Sequence, residues 1–294
     1  MAGTVVVALD ASSQSVAALE AAADLAAWLG TELAGLFVED VGLLRLAASP
    51  AATEILYLSA QAQPLDLARM ERILRAQAEQ ARQALARVAE RAGVPWTFRV
   101  VRGEVSAEVL MAAAEADLLS LGRAGWSLPR RLHLGSTARA ALEGARTSLL
   151  LAQCRISPDL PVAVVYDRSS GAADACRVAA WLAKTTGQPL RVFVLADSHA
   201  QESEMEAEAA RLFEAEAALT RFCWLDSGDE REVLRALKAE KSGVVVLGAE
   251  SPLLENHIID KVLCETDKPV LVVGQRLAPA VLRATVGAKR GASA

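Results

Sequence analysis

Two hydrophobic rhythms alternate along this chain from one end to the other. Short, nearly unbroken apolar runs at Thr4–Leu9, Leu33–Val38 and Leu118–Leu121 carry no regular polar alternation, which suits strands buried on both faces. Residues 96–101 predict a further strand. Between these runs the period lengthens. Leu67, Met70, Leu74, Ala81, Leu85, Val88 and Ala92 recur at threes and fours, predicting an amphipathic core helix closed by Gly93 and Pro95. Ser136–Ala145 has helical composition as well. Strand and helix in regular alternation favour an α/β fold with a parallel sheet, helices on both faces and right-handed crossovers.

The pattern then repeats. Thr4–Asp10 matches Pro161–Asp167, and the match continues without a gap through Ser12-Ser13 against Ser169-Ser170, Leu25 against Leu182, Gly30 against Gly187 and Asp40 against Asp197. Further on, Gly103-Glu104 pairs with Gly228-Asp229, Leu118–Gly122 with Val244–Gly248, and Leu149–Ala152 with Val270–Val273. Two copies of one unit therefore make up the chain. The boundary falls near Ser157-Pro158, giving domains at 1–156 and 157–275 and a tail at 276–294 whose Ala, Gly, Arg and Lys composition predicts disorder. Residues 41–64 have no counterpart in the second copy; they read as a lid, an interface arm or a loop without order.

The chemistry concentrates after the Leu118–Leu121 run. Gly122 and Gly125 follow it, then nine residues, then Gly135-Ser136-Thr137 at the start of a helix. Helix starts present unpaired N–H groups and the positive end of the dipole, both suited to an anion. Glycines there would admit a phosphate close to the backbone, and Ser136 could cap the helix and donate to the same group. Three glycines and a Ser or Thr at fixed spacing arise by chance at about one start in several tens of thousands. Arg123, Arg130 and Arg131 lie in the stretch and no carboxylate does. A phosphate cradle and a surface loop with glycine at its turns are the two readings. Asp10, at the carboxyl end of the first strand, would open onto the same crevice, either receiving sugar hydroxyls or only capping the next helix. Val38 would face an adenine or lie in the core.

The second copy keeps Asp167 and Gly248 but has Ser251, Asn256 and His257 where the first has Gly125, Gly135 and Ser136. Glu250 and Glu255 stand in place of the arginines, so phosphate binding there is disfavoured. The acidic run Glu202, Glu204, Glu206, Glu208 reads as a solvated face or an interaction patch.

Composition narrows the classes. A net charge of −5 over 294 residues argues against nucleic acid as a main partner. No basic leader precedes the first apolar run and no apolar span is long enough for a bilayer, so neither a signal peptide nor a membrane partner is expected. Cys154, Cys176, Cys223 and Cys264 are widely spaced and read as buried free thiols of a reducing cytoplasm; His133, His199 and His257 are too scattered for a metal site.

These residues resemble the universal stress protein family in its tandem two-domain form, over 4–153 and 161–274. The family's nucleotide pattern G-x2-G-x9-G-[ST] appears as Gly122, Gly125, Gly135 and Ser136, with the Asp after strand one (Asp10) and the valine after strand two (Val38). The resemblance implies an open five-stranded parallel sheet in each half, Rossmann-like and of the adenine nucleotide alpha hydrolase-like type. It implies an ATP crevice in the first half and dimers through the edge of the last strand, here an intrachain pseudo-dimer, with a homodimer left open. The candidate nucleotide contacts are Ala8, Asp10, Ser12, Val38, Leu121, Gly122, Arg123, Gly125, Arg131, Gly135, Ser136 and Thr137. ATP, with Mg2+ on its phosphates, is the expected ligand, and ADP and AMP remain open. The family's role is stress tolerance through protein partners that the sequence does not name.

A cytoplasmic, nucleotide-dependent regulator is therefore the leading expectation. The alternatives are a nucleotide-independent scaffold with a vestigial site and a weak ATPase. Catalytic residues are not expected: no Ser/His/Asp or Cys/His set is evident, and strand one leads into Asp10-Ala-Ser-Ser rather than the glycine-rich loop of activating enzymes.

Overall fold

The computed structural model describes residues 3–50, 52–55, 62–123, 134–144, 146–212, 220–255 and 257–277. The first half begins with strand β1 (Thr4–Ala8), helix α1 (Ser13–Leu29), β2 (Glu32–Asp40), α2 (Val41–Ala47), and the short β3 (Thr53–Ile55) and β4 (Ala62–Pro64). It continues with α3 (Leu67–Ala92), β5 (Trp96–Gly103), α4 (Val105–Glu115), β6 (Leu118–Gly122), α5 (Ser136–Gly144) and β7 (Ser148–Ala152). The second half runs β8 (Val162–Tyr166), α6 (Ala172–Thr186), β9 (Leu190–Ala196), α7 (His199–Arg211), β10 (Thr220–Asp226) and α8 (Glu230–Ala239). It ends with β11 (Val244–Gly248), α9 (Pro252–Glu255), α10 (Ile258–Glu265) and β12 (Val270–Val273).

The main strands form one ten-stranded sheet in the order β10-β9-β8-β11-β12-β7-β6-β1-β2-β5. Each half contributes five parallel strands, and the halves meet where β7 and β12 pair antiparallel, with Leu150 opposite Leu271. The two expected sheets are thus continuous. At the seam Ser148 Oγ accepts from Gly274 N–H at 2.9 Å.

Both faces are covered. One buried layer comes from α1, α3, α6 and α7, the other from α4, α5, α8, α9 and α10. On α1 the fully buried residues include Ala18, Ala21, Ala22 and Ala26, whose small side chains let the helix lie close to the sheet. Its ends are set locally: Ser12 accepts from Ser15 N–H at 3.1 Å, and Gly30 takes the left-handed C-terminal turn at φ 62°. Asp66 and Gly93 close α3 in the same way, with its predicted apolar stripe inward from Leu74 to Val88. The described parts of the unmatched segment form α2, capped by Asp40, and the antiparallel pair β3–β4.

Strand order reverses between β1 and β6 in the first half and between β8 and β11 in the second. In open α/β sheets that reversal opens a crevice outside the carboxyl ends of the strands. Among the described residues no helix is long and apolar enough to cross a membrane.

Candidate functional site

In the first half the crevice is built from the ends of β1 and β6. Beyond β1, Ala11 adopts φ 60°, a left-handed turn that swings Asp10 back so that its Oδ1 accepts from Ser12 N–H at 2.9 Å. The second copy repeats the turn: Arg168 has φ 57° and Asp167 Oδ1 accepts from Ser169 N–H at 3.0 Å. The matching Asp-x-Ser in both copies was the available sequence signal for this turn. Asp10 therefore caps the entry to α1, and Ser12 caps the helix itself.

Beyond β6, Gly122 sits against the start of α1. A Cβ there would lie 3.0 Å from the Gln14 carbonyl carbon and 3.2 Å from the Ser15 nitrogen. The missing side chain thus serves helix-on-strand contact, a role not visible from spacing. The stretch closes through its backbone: Gly135 N–H donates to the Arg123 carbonyl at 2.8 Å, bringing residue 135 back beside the end of β6. Gly135 O then accepts the first intrahelical bond of α5, from Arg139 N–H at 2.9 Å. The amides of residues 136–138 precede that ladder, at the positive end of the helix. Ser136 is exposed and Thr137 half-buried.

Ala8 and Val38 are half-buried on one face of the sheet, packed against the α4–α5 layer, and Leu121 is buried there. Of the twelve candidates, ten fall in described parts of the structure; Gly125 and Arg131 lie outside the described residues, as do Arg130 and His133.

Arg123 is placed otherwise than the sequence suggested. It is only 4% exposed, and its Nη1 donates to Leu263 O at 3.1 Å and Cys264 O at 3.2 Å, at the carboxyl end of α10 in the other half. Gln153, just past β7, reaches the same end, its Nε2 donating to Leu263 O at 2.8 Å and Thr266 O at 3.1 Å. Terminal helix carbonyls lack intrahelical partners and sit at the negative end of the dipole, so a guanidinium suits them. The Arg123 contacts span some 140 positions of sequence and those of Gln153 some 110, which no local pattern signals.

In the second half the carboxylate that corresponds to Asp10 is engaged by the chain itself. Ser251, 1% exposed, donates to Asp167 Oδ2 at 2.5 Å, so both carboxylate oxygens are engaged by the chain. Arg168 forks onto Glu208 at 2.8 and 2.9 Å and also meets Glu204, while Tyr166 OH donates to Glu208 at 3.1 Å. The hydrogen-bonded Arg168 guanidinium holds the Glu208 carboxyl below the usual range. Burial, then the hydrogen bond to Glu208, pushes the Tyr166 hydroxyl up to about 12. Two residues of the acidic run thus pair with Arg168 at the surface, Glu204 exposed and Glu208 half-buried.

Other chemistry is sparse. A cavity of about 380 Å³ lies away from the crevice, between α7 and strands β9–β10, lined by Glu202 and Glu206 as well as Arg221. Among the described residues no group of three or more His, Cys, Asp or Glu could hold a metal. Contrary to expectation, the thiols are not uniformly buried: Cys176 is buried, Cys154 and Cys264 are intermediate and Cys223 is exposed.

The family model described as "Universal stress protein family" matches residues 1–153. The chain belongs to the universal stress protein family. A universal stress protein from Archaeoglobus fulgidus DSM 4304 aligns over 92% of this chain and 98% of its own, at 18% identity and TM-score 0.70. A functionally unknown protein from Pseudomonas aeruginosa PAO1 aligns over 97% of each chain, at 14% identity and TM-score 0.57. At these identities the likeness shows the fold. A universal stress protein solved in complex with cAMP aligns over 51% of this chain and 97% of its own, at 22% identity and TM-score 0.37. No match arises among curated protein sequences. For this universal stress family member, the matched region contains the whole glycine pattern, and the fold extends through both halves.

Proposed function

We propose that the first half binds ATP, its phosphates carrying Mg2+, at the reversal between β1 and β6, and that the protein acts in the cytoplasm as a nucleotide-dependent stress regulator read by protein partners. One observation supports this reading above others. Asp10, Gly122 and the Gly135–Ser136 start of α5 converge at that reversal in the first half, while Ser251 and Asp167 close the matching place in the second. Residues 1–156 would be the nucleotide domain and 157–275 its degenerate partner, the two acting as an intrachain pseudo-dimer across β7 and β12.

The phosphates would meet the amides at the start of α5, with Ser136 donating its hydroxyl. Asp10, at the β1 end, would accept from ribose hydroxyls, and Val38 would line the base. ADP or AMP would use the same base and ribose contacts with fewer phosphates.

Calorimetry on nucleotide-stripped protein tests the reading. ATP should bind the wild type at millimolar concentration or tighter. Ser136→Ala should weaken it by about 1–2 kcal/mol. Gly125→Asp should abolish it by adding a carboxylate to the glycine pattern read as the phosphate cradle. No heat with the wild type overturns the proposal. The diversion of Arg123 to α10 removes one cation from the phosphates. That favours a second reading, a nucleotide-independent scaffold, which unchanged ATP affinity in Gly125→Asp would support. A turnover assay beside the titration separates binding from slow hydrolysis.

A further inference from the structure

Residue 123 joins three parts of the molecule. Its carbonyl accepts from Gly135 N–H at 2.8 Å, closing the glycine-rich stretch and seating α5. Its neighbour Gly122 rests on the backbone of Gln14 at the start of α1. Its side chain leaves the first half and ends on the last carbonyls of α10, at 3.1 and 3.2 Å. A second link runs parallel to it: Arg139, within α5, pairs with Asp260 of α10 at 3.5 Å. Both described ends of the stretch are therefore fastened to one helix of the second half. Gln153 fixes that helix end again from the β7 side of the seam.

We infer that the second half, whose Asp167 is held by Ser251 and Ser169, sets the nucleotide affinity of the first: the carboxyl end of α10 holds Arg123, and through it the start of α5 where the phosphates would lie. This rests on the nucleotide reading above and assigns Arg123 as a positioning residue rather than a phosphate ligand. Displacing the α10 end frees the guanidinium, loosens the Arg123–Gly135 closure and shifts the amides of residues 136–138. By linkage, a nucleotide on those amides must in turn steady α10. A partner that grips the second half near α10 would then tune binding in the first, which gives the degenerate half a task.

The test uses the full chain and ATP as the probe. Arg123→Met keeps the length and apolar stem but removes the donors. It should weaken ATP binding about tenfold at a temperature well below its melting point, with Arg123→Lys recovering part of the loss. In the wild type, saturating ATP should slow amide exchange in residues 258–266 while leaving α8, residues 230–239, unchanged. If Arg123→Met does not fold, the wild-type exchange measurement alone decides. A purely structural role for Arg123 lowers the melting temperature only; equal ATP affinity in wild type and Arg123→Met, or α10 exchange indifferent to ATP, overturns the inference. Absence of ATP binding by the wild type overturns the nucleotide reading and this inference with it.

Discussion

Gly122 shows how one residue can satisfy a motif and a packing requirement together. The atoms that a Cβ at 122 would meet, at 3.0–3.2 Å, belong to the backbone of Gln14 and Ser15, so no side chain can swing aside. Gly122→Ala should therefore destabilise the protein by about 1–3 kcal/mol in thermal or denaturant unfolding. Gly248→Ala, whose Cβ would stand 2.7 Å from the Gly171 carbonyl carbon, should cost at least as much. An unchanged unfolding midpoint in both would remove the packing explanation and leave the glycine to the ligand alone. The thiols are distinguished by burial rather than by spacing. Burial pushes the Cys176 thiol up to about 12, whereas Cys223 stands exposed on β10. Alkylation of the native protein at pH 8, mapped by mass spectrometry, should mark Cys223 first and Cys176 only on unfolding. Rapid labelling of Cys176 would contradict its place on the buried face of α6. Residue positions without periodicity, such as these cysteines, hold no exposure signal in the sequence.

Helices and strands were legible to the extent that their own residues determine them. The buried run Leu118–Leu121 and the stripe from Leu74 to Val88 fold as their periods require, because a parallel strand covered on both faces tolerates no polar alternation. The three-residue strands β3 and β4 were not legible, since so short a pairing leaves no pattern. Nor was the hold of α7 on Arg168: Glu204 and Glu208 stay at the surface and become its partners only when β8 brings Arg168 beside them. This contact carries a pH signature. The folded-state pKa of Glu208 lies below its unfolded value, so its ionised form adds stability above the ordinary carboxylate range and loses it as pH falls through the depressed value. Glu208→Gln should lower the melting temperature at pH 7, and the gap to wild type should narrow progressively as the pH falls below the ordinary carboxylate value of about 4. A gap independent of pH would mean that packing, not charge, ties α7 to the turn after β8.

At the scale of the molecule, the internal repeat announced two similar halves, and both do carry the same strand order about their own reversal point. What the repeat left unsaid is how they join. The antiparallel pairing of β7 with β12 and the reach of Arg123 to α10 are long-range contacts between apolar or basic residues that would look the same in any other arrangement. The resemblance to the family, not the residues alone, pointed to the last strand's edge. The candidate site was legible as a motif, with its convergence on the β1–β6 reversal following from topology. The proposed asymmetry starts from Ser251 at the place of Gly125; the sequence could not reveal that Ser251 would donate to Asp167. Nucleotide binding in the first half alone requires a difference between two halves of one fold, and stoichiometry measures that difference directly. Equilibrium dialysis of the nucleotide-stripped full chain against labelled ATP should saturate at one nucleotide per chain, and two per chain or none would contradict it.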